Sequence, residues 1–322
     1  MKARIHFLLL LTLVSTLVAA DNPNIVATFS IIGRDAETGE LGVAVASRFF
    51  AVGSVVPWAK AGVGAVATQA YANTSFGWRG LDLLEKGASP DQALDILLHN
   101  DDNPGRRQVG LVAADGHSAT YTGDGCNAWA GGRCGDNYAC QGNILAREDV
   151  VVAMESAFLK TSGTLAERLY AALLAGEAKG GDSRGKQSAA LLVVKDGAGY
   201  GGYTDRAIDI RVDDHPEPFV ELGRLLNLAQ LNYTWNEAWT LFSNGKGVEA
   251  LPFMEKAAQI YPEHPEVLYD LAVIRLSAGE TAGALQALKR AITINPNLKN
   301  QARIDDDLST LREKSDFQEM VK

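Results

Sequence analysis

The chain has little from which the commoner hydrolytic sites are built. Of its five histidines, His6 lies in the N-terminal apolar segment, and His99, His117, His215 and His264 are widely separated. That scatter argues against a zinc centre and against a histidine-based triad. Neither HExxH nor GxSxG occurs, which removes the usual zincin and serine-hydrolase signatures. The three cysteines, Cys126, Cys134 and Cys140, fall within fifteen residues of one Gly/Asn-rich stretch, without CxxC spacing or a nearby histidine. A metal cluster there lacks a fourth ligand, and the expectation for an exported chain is one disulfide and a spare thiol. Cys126 as a nucleophile has no support from its neighbours. No apolar run reaches the roughly 20 residues that span a bilayer, so the mature chain is expected to have no membrane span. Basic residues are outnumbered 30 to 39 by acidic ones, which disfavours nucleic acid as a partner.

The N-terminus carries an address. Lys2 and Arg4 precede an apolar run from Phe7 to Leu17, and Val18-Ala19-Ala20 supplies small residues for a cleavage site. This reads as a signal peptide over residues 1–20, a mature chain beginning at Asp21, and a secreted or periplasmic location. Removing Lys2 and Arg4 leaves 28 basic against 39 acidic residues, a formal charge of -11.

From Ile25 to about Leu231 groups of strands alternate with pairs of helices. Alternating residues place strands at Ile25–Gly33, Leu41–Ser47 and Gly64–Ala70, the first two joined by the turn-rich Asp35–Glu40. Helices follow at about Trp78–Lys86 and Pro90–His99, the second opened by the capping box Ser89/Gln92. Strands return at Gln108–Ala113, Ser118–Thr122 and Ala139–Ile144. A second helical pair spans Asp149–Lys160 and Leu165–Ala175, capped by Thr164 and Glu167. Ser188–Val194 and Ala207–Val212 close the series. Paired helices between groups of strands predict an α+β domain over residues 21–231, a four-layer αββα sandwich with helices outside an antiparallel core.

Residues 232–322 have a different logic. At an offset of 34 residues Ala238/Ala272, Gly245/Gly279, Ala250/Ala284, Ala257/Ala291 and Pro262/Pro296 coincide. That period predicts all-α tetratricopeptide repeats, with the paired alanines where two helices cross closely. Residues 300–322 read as the capping element a short stack needs.

Two nucleotide motifs fail on context. Gly180 to Lys186 has P-loop spacing, but Gln187 stands where a hydroxyl is required and a strand follows. Gly197 to Gly202 sits in a hairpin without a helix to receive a phosphate. No cofactor is expected. What remains is a nucleophile that needs no histidine: a threonine at a chain start, whose own α-amino group, with a pKa near ~8, serves as base. A lysine nearby lowers that amine's pKa by like charge. Thr28, at the head of the first hairpin, fits this scheme; the plainer reading makes Thr28 and Ser30 ordinary strand residues.

The stretch from Thr28 to Thr68 resembles the opening of proteasome-type N-terminal-nucleophile (Ntn) hydrolases, with a leading threonine strand, a turn, a strand ending Ala46-Ser47-Arg48, then Lys60. Ala46 stands where that family carries an orienting aspartate. A closer resemblance covers Ala27 to about Leu226, through Thr28-Phe-Ser-Ile, Gly42-Val-Ala-Val-Ala-Ser47, Gly62-Val-Gly-Ala-Val-Ala-Thr-Gln69, Gln141-Gly-Asn-Ile-Leu, Gly181-Asp-Ser-Arg-Gly-Lys-Gln-Ser188 and Val212-Asp-Asp-His-Pro. These are similar to the bacterial family called domain of unknown function 1028, which the resemblance places among Ntn-hydrolase-like proteins. The proteasome-type resemblance implies Thr28, Ser47 and Lys60 as catalytic candidates. Asp182, Arg184, Gln187 and Ser188 are substrate-binding candidates, because a glycine-rich loop there enters a strand; Asn143 joins them, with a buried asparagine that ties loops together as the plainer reading. The alternative for Lys60 is a solvated surface lysine, and for Asp182 and Arg184 a local ion pair. Three functions follow: an exported amidohydrolase acting on a small amide or peptide-like ligand, an inactive ligand-binding relative, or an adaptor whose repeats bind a protein partner.

Overall fold

The computed structural model describes residues 28–322. The signal peptide, the Asp21 start and the segment Asp21–Ala27 lie outside the described residues. Ten strands and ten α-helices follow. The strands are β1 (Thr28–Arg34), β2 (Leu41–Ser47), β3 (Pro57–Lys60), β4 (Gly64–Ala70), β5 (Arg107–Ala113), β6 (Ser118–Thr122), β7 (Gly131–Gly135), β8 (Tyr138–Asn143), β9 (Ser188–Val194) and β10 (Arg206–Val212). Helices α1 (Ser75–Glu85) and α2 (Pro90–His99) separate β4 from β5, and α3 (Asp149–Lys160) and α4 (Leu165–Ala178) separate β8 from β9. The long α5 (Pro218–Ser243) leads into α6 (Gly247–Ile260), α7 (Pro265–Ser277), α8 (Thr281–Ile294), α9 (Leu298–Ile304) and α10 (Ser315–Met320).

The strands form two antiparallel sheets, one of six in the order β10-β9-β2-β1-β8-β7 and one of four in the order β3-β4-β5-β6. Period-two alternation sorts their side chains. Phe29, Ile31, Ala44 and Ala46 face α3, α4 and the start of α5. Ile32, Leu41, Val43 and Val45 meet Ala65, Ala67 and Val112 between the sheets. Val66, Val109 and Leu111 pack on Phe76, Leu84 and Leu97 of α1 and α2. The capping boxes at Ser89 and Thr164 both form.

The short strands β3 and β7 carry too little alternation to be visible in sequence. Ala46 turns toward the helices rather than into the space between the sheets. The boundary at 231/232 falls inside α5, whose Phe219, Leu222 and Leu226 belong to the sheet domain's core. Leu231 and Ala238, further along the same helix, belong to the repeat core with Ala250, Ala257, Ala272 and Ala291. One continuous helix therefore serves both units. The cysteines are three free thiols rather than a disulfide and a spare. Arg133 pairs with Cys140 and Cys134 with Ala139, so Cys134 and Cys140 project from opposite faces of the β7–β8 hairpin. Among the described residues no helix is long and apolar enough to cross a membrane.

Candidate functional site

Register builds the site. Thr28 opens β1, a central strand, opposite Ser47 on one side and Asn143 on the other. Ser47 in turn faces Ser188. Residues opposite one another share a face, so Asn143, Thr28, Ser47 and Ser188 form a row across four strands, turned toward the second sheet. All four are buried, Thr28 and Ser188 completely. Thr28 Oγ1 donates to Ser47 Oγ at 3.2 Å.

Behind the row lies a polar seam of three glutamines. Ser30 Oγ donates to Gln69 Oε1 at 2.7 Å and accepts from Gln141 Nε2 at 2.7 Å. Gln69 Nε2 reaches Gln108 Oε1 at 2.9 Å and the Thr28 carbonyl at 3.3 Å. Asn143 Nδ2 also donates to Gln108 Oε1, at 2.9 Å. Burying amides is costly unless their donors and acceptors are matched, and here the bonds run from one sheet to the other. Gly110 makes room for this: a Cβ there would collide with Gln141 Oε1. These glutamines were not among the sequence candidates. The signal was present, since a glutamine in each of β4, β5 and β8 interrupts strands otherwise made mostly of small and apolar residues.

Backbone strain collects at the same place. Ile144, directly after Asn143, has φ 51°, Ala70, after Gln69, has φ 65°, and Ala51 has φ 53°. Non-glycine residues in this region cost about 1–3 kcal/mol each, and a β-branched one is a marked outlier. Surrounding bonds hold them: Ile144 N donates to the Asn127 carbonyl at 3.0 Å, and Ala51 N to the Asp213 carbonyl at 2.9 Å. Near Ala70, Asp101 takes bonds from Arg107 and Asn73. Burial pushes its pKa up, but these bonds outweigh burial and hold the carboxyl below its ordinary value.

The Asp182 loop borders the row. The Asp182 side chain is fully buried; Oδ2 accepts from Arg48 N at 3.0 Å and from Arg184 Nη2 at 2.9 Å. It thus anchors the residue that follows Ser47. Ser188 Oγ donates to the Phe49 carbonyl at 2.5 Å and accepts from Val52 N at 3.2 Å, fixing the rest of that loop. Gln187 contributes through its backbone, donating to the Ser47 carbonyl at 3.0 Å, while its side chain turns outward to Asp214 at 3.1 Å.

Lys60 is not brought to Thr28. It pairs with Gly64 at the far end of β4, five residues from Gln69, a separation of about 17 Å at ~3.4 Å per residue. Its ammonium is half-exposed and pairs with Glu85 at 2.5 Å. Ser47 and Arg48 separate as strand alternation requires, Ser47 buried in the row and Arg48 exposed. Among the described residues no group of three His, Cys, Asp or Glu side chains is arranged to hold a metal ion.

Residues 28–222, the whole of this two-sheet unit, match the sequence pattern of the family of unknown function DUF1028. The chain belongs to that family. The crystal structure of protein SPO2555 from Silicibacter pomeroyi, assigned to the DUF1028 family, is similar to it with 30% identity and a TM-score of 0.58. The similarity covers 63% of this chain and 89% of that one. Residues 241–304 match the tetratricopeptide repeat, so the DUF1028 domain is followed by repeats. No curated protein matches the chain.

Proposed function

We propose that this protein is an exported amidohydrolase of the Ntn type, built on an αββα sandwich and latent while Thr28 lies within the chain. On this reading residues 1–20 direct export to the periplasm or medium, residues 21–231 form the catalytic unit, and residues 232–322 the repeats. The observation that carries it is the position of Thr28. A buried hydroxyl heads a central strand, faces the second sheet, and meets the hydroxyl of Ser47 and the register position of Asn143. The Ser47 hydroxyl and the Gln69 amide meet Thr28, and on this reading the base is supplied by Thr28 itself. Cutting the Ala27–Thr28 bond supplies it as an α-amine.

The freed amine takes the Oγ1 proton as the oxygen attacks the carbonyl carbon of a small amide or peptide-like substrate. The departing amine leaves with that proton, and water then hydrolyses the threonine ester. Ser47 orients the hydroxyl, Asn143 and neighbouring backbone groups line the reacting centre, and the Asp182–Arg184 pair holds the Arg48 edge. Ser188 fixes the adjoining loop. Lys60 has no part in this arrangement.

Intact mass and N-terminal sequencing of the exported protein test the reading: a chain starting at Thr28 is expected, and one starting at Asp21 overturns it. Thr28→Ala is expected to abolish turnover of an amide library. A second reading, an adaptor acting through the repeats, draws support from the repeat match and from a groove of about 760 Å³ between α8 and α10, lined by Leu285, Ile292 and Met320. Capture of an envelope protein by the full chain but not by a chain ending before α6 would favour it.

A further inference from the structure

We propose that Gln108 is the positioning residue of the threonine site: it fixes the Asn143 amide so that the oxygen end serves as acceptor for the freed Thr28 amine. This rests on the Ntn reading and adds to it the orientation of the base. Gln108 Nε2 donates to the Gly142 carbonyl at 2.7 Å, to Thr122 Oγ1 at 2.9 Å and to the Gly131 carbonyl at 3.3 Å. Two of these partners are carbonyls and can only accept, so a flipped amide would set Oε1 against them. The Gln108 oxygen is thereby locked toward the gap between the sheets. There it receives Gln69 Nε2 and Asn143 Nδ2, both at 2.9 Å.

The consequence passes to Asn143. An acceptor on the β5 side draws its nitrogen end that way, and Oδ1, itself buried, occupies the other end of the amide. Asn143 stands directly across the β1–β8 ladder from Thr28. For an α-amine to act as base its lone pair must be left for the Thr28 hydroxyl, so its N–H groups need acceptors. An oxygen supplies one; an N–H in that place would compete for the lone pair. Gln69 is oriented by the same lock, since its nitrogen end, held by Gln108, also reaches the Thr28 carbonyl at 3.3 Å. The three-glutamine seam therefore sets which way both groups beside Thr28 point. The strained φ of 51° at Ile144 fits a backbone bent to deliver Asn143 at this place.

The test is the protonation of the Thr28 amine in the exported protein, repeats included, measured by competitive acetylation with acetic anhydride across pH and mass spectrometry of the N-terminal peptide. Gln108→Leu removes the acceptor and frees Asn143 to present its nitrogen end; the amine's pKa is expected to fall by about one unit, tenfold in protonation equilibrium. Gln108→Glu, buried in its protonated form, keeps both an acceptor and a donor and is expected to restore the wild-type titration. Should Gln108→Leu fail to fold, Asn143→Asp replaces it: an acceptor-only carboxylate beside the amine is expected to raise its pKa by about one unit or more. Wild-type titration in a folded Gln108→Leu or in Asn143→Asp overturns the positioning role alone. A wild-type chain that keeps Ala27 overturns this inference together with the reading beneath it.

Discussion

Between its two sheets the DUF1028 domain buries Thr28, Ser30, Ser47, Gln69, Gln108, Gln141, Asn143 and Ser188, while the helical repeats bury the single polar side chain Thr234 among their described residues. The repeat core is otherwise alanine, leucine, valine, isoleucine and Met254, with Tyr269 and Phe317 filling the wider gaps. Both units are close-packed, yet they solve different problems. A stack of helices needs only small residues at crossings and apolar ones between them, and every 34 residues the same solution serves again. A sheet pair could do likewise with Val and Ile. That it instead holds a polar seam, beside three residues of positive φ, sets its interior apart from that of the repeats.

The sharpest way to break this contrast is to remove the seam. Gln69→Leu leaves the Ser30 hydroxyl and the Thr28 carbonyl without the partner they share. At about 1–3 kcal/mol per buried unsatisfied group, the sheet domain is expected to lose roughly 4 kcal/mol, read by urea unfolding, with the repeats little affected. A loss under about 1 kcal/mol would mean the seam is incidental. Leu288→Ala applies the apolar counterpart in the repeats, where Leu288 is fully buried. It is expected to cost about 3 kcal/mol in the repeat transition while leaving processing at Thr28 unchanged.

The thiols sharpen the comparison within the sheet domain. Cys134 is exposed and Cys140 buried, and burial pushes the Cys140 thiol up to about 12. Titration with Ellman's reagent is expected to modify Cys134 rapidly, Cys126 slowly and Cys140 only after unfolding. Reagent uptake by all three at one rate would contradict the placement.

The smallest effect concerns a half-buried charge in the repeats, Asp270. Trp235 Nε1 and Trp239 Nε1 both donate to Asp270 Oδ2, at 2.7 and 2.6 Å. Burial, with Asp305 and Glu266 nearby, outweighs these donors and holds the carboxyl above its ordinary value. A raised acid pKa means the folded state favours the protonated form. The contribution is therefore most favourable in acid, and is lost as pH rises from the unfolded toward the folded value. Asp270→Asn keeps an acceptor for the indoles without the charge, and is expected to raise the repeats' melting temperature at neutral pH but not in acid.

Much of the fold could be read from residue patterns, because it follows from local rules. Alternation located β1, β2, β4, β5 and β9, the Ser89 and Thr164 boxes fixed helix starts, and the alanine period located the repeats. The site was less legible because it is assembled by register. Lys60 is close to Ser47 in sequence, but β3 and β4 carry it to the opposite end of the second sheet. The glutamines are spread from Gln69 to Gln141 and meet only when β4, β5 and β8 face one another. Cys134 and Cys140 are near neighbours in sequence whose face alternation decides against a bond. In each case a short-range reading stood in for a distance that only the sheet order sets.

The central claim is that Thr28 is a nucleophile waiting for its own amine, and the residue at the start of the exported protein tests it most directly. Sequencing and intact mass are expected to give a chain beginning Thr28-Phe-Ser-Ile, with Thr28→Ala blocking amide hydrolysis. A protein that retains Asp21–Ala27 in its fully active form would contradict the account.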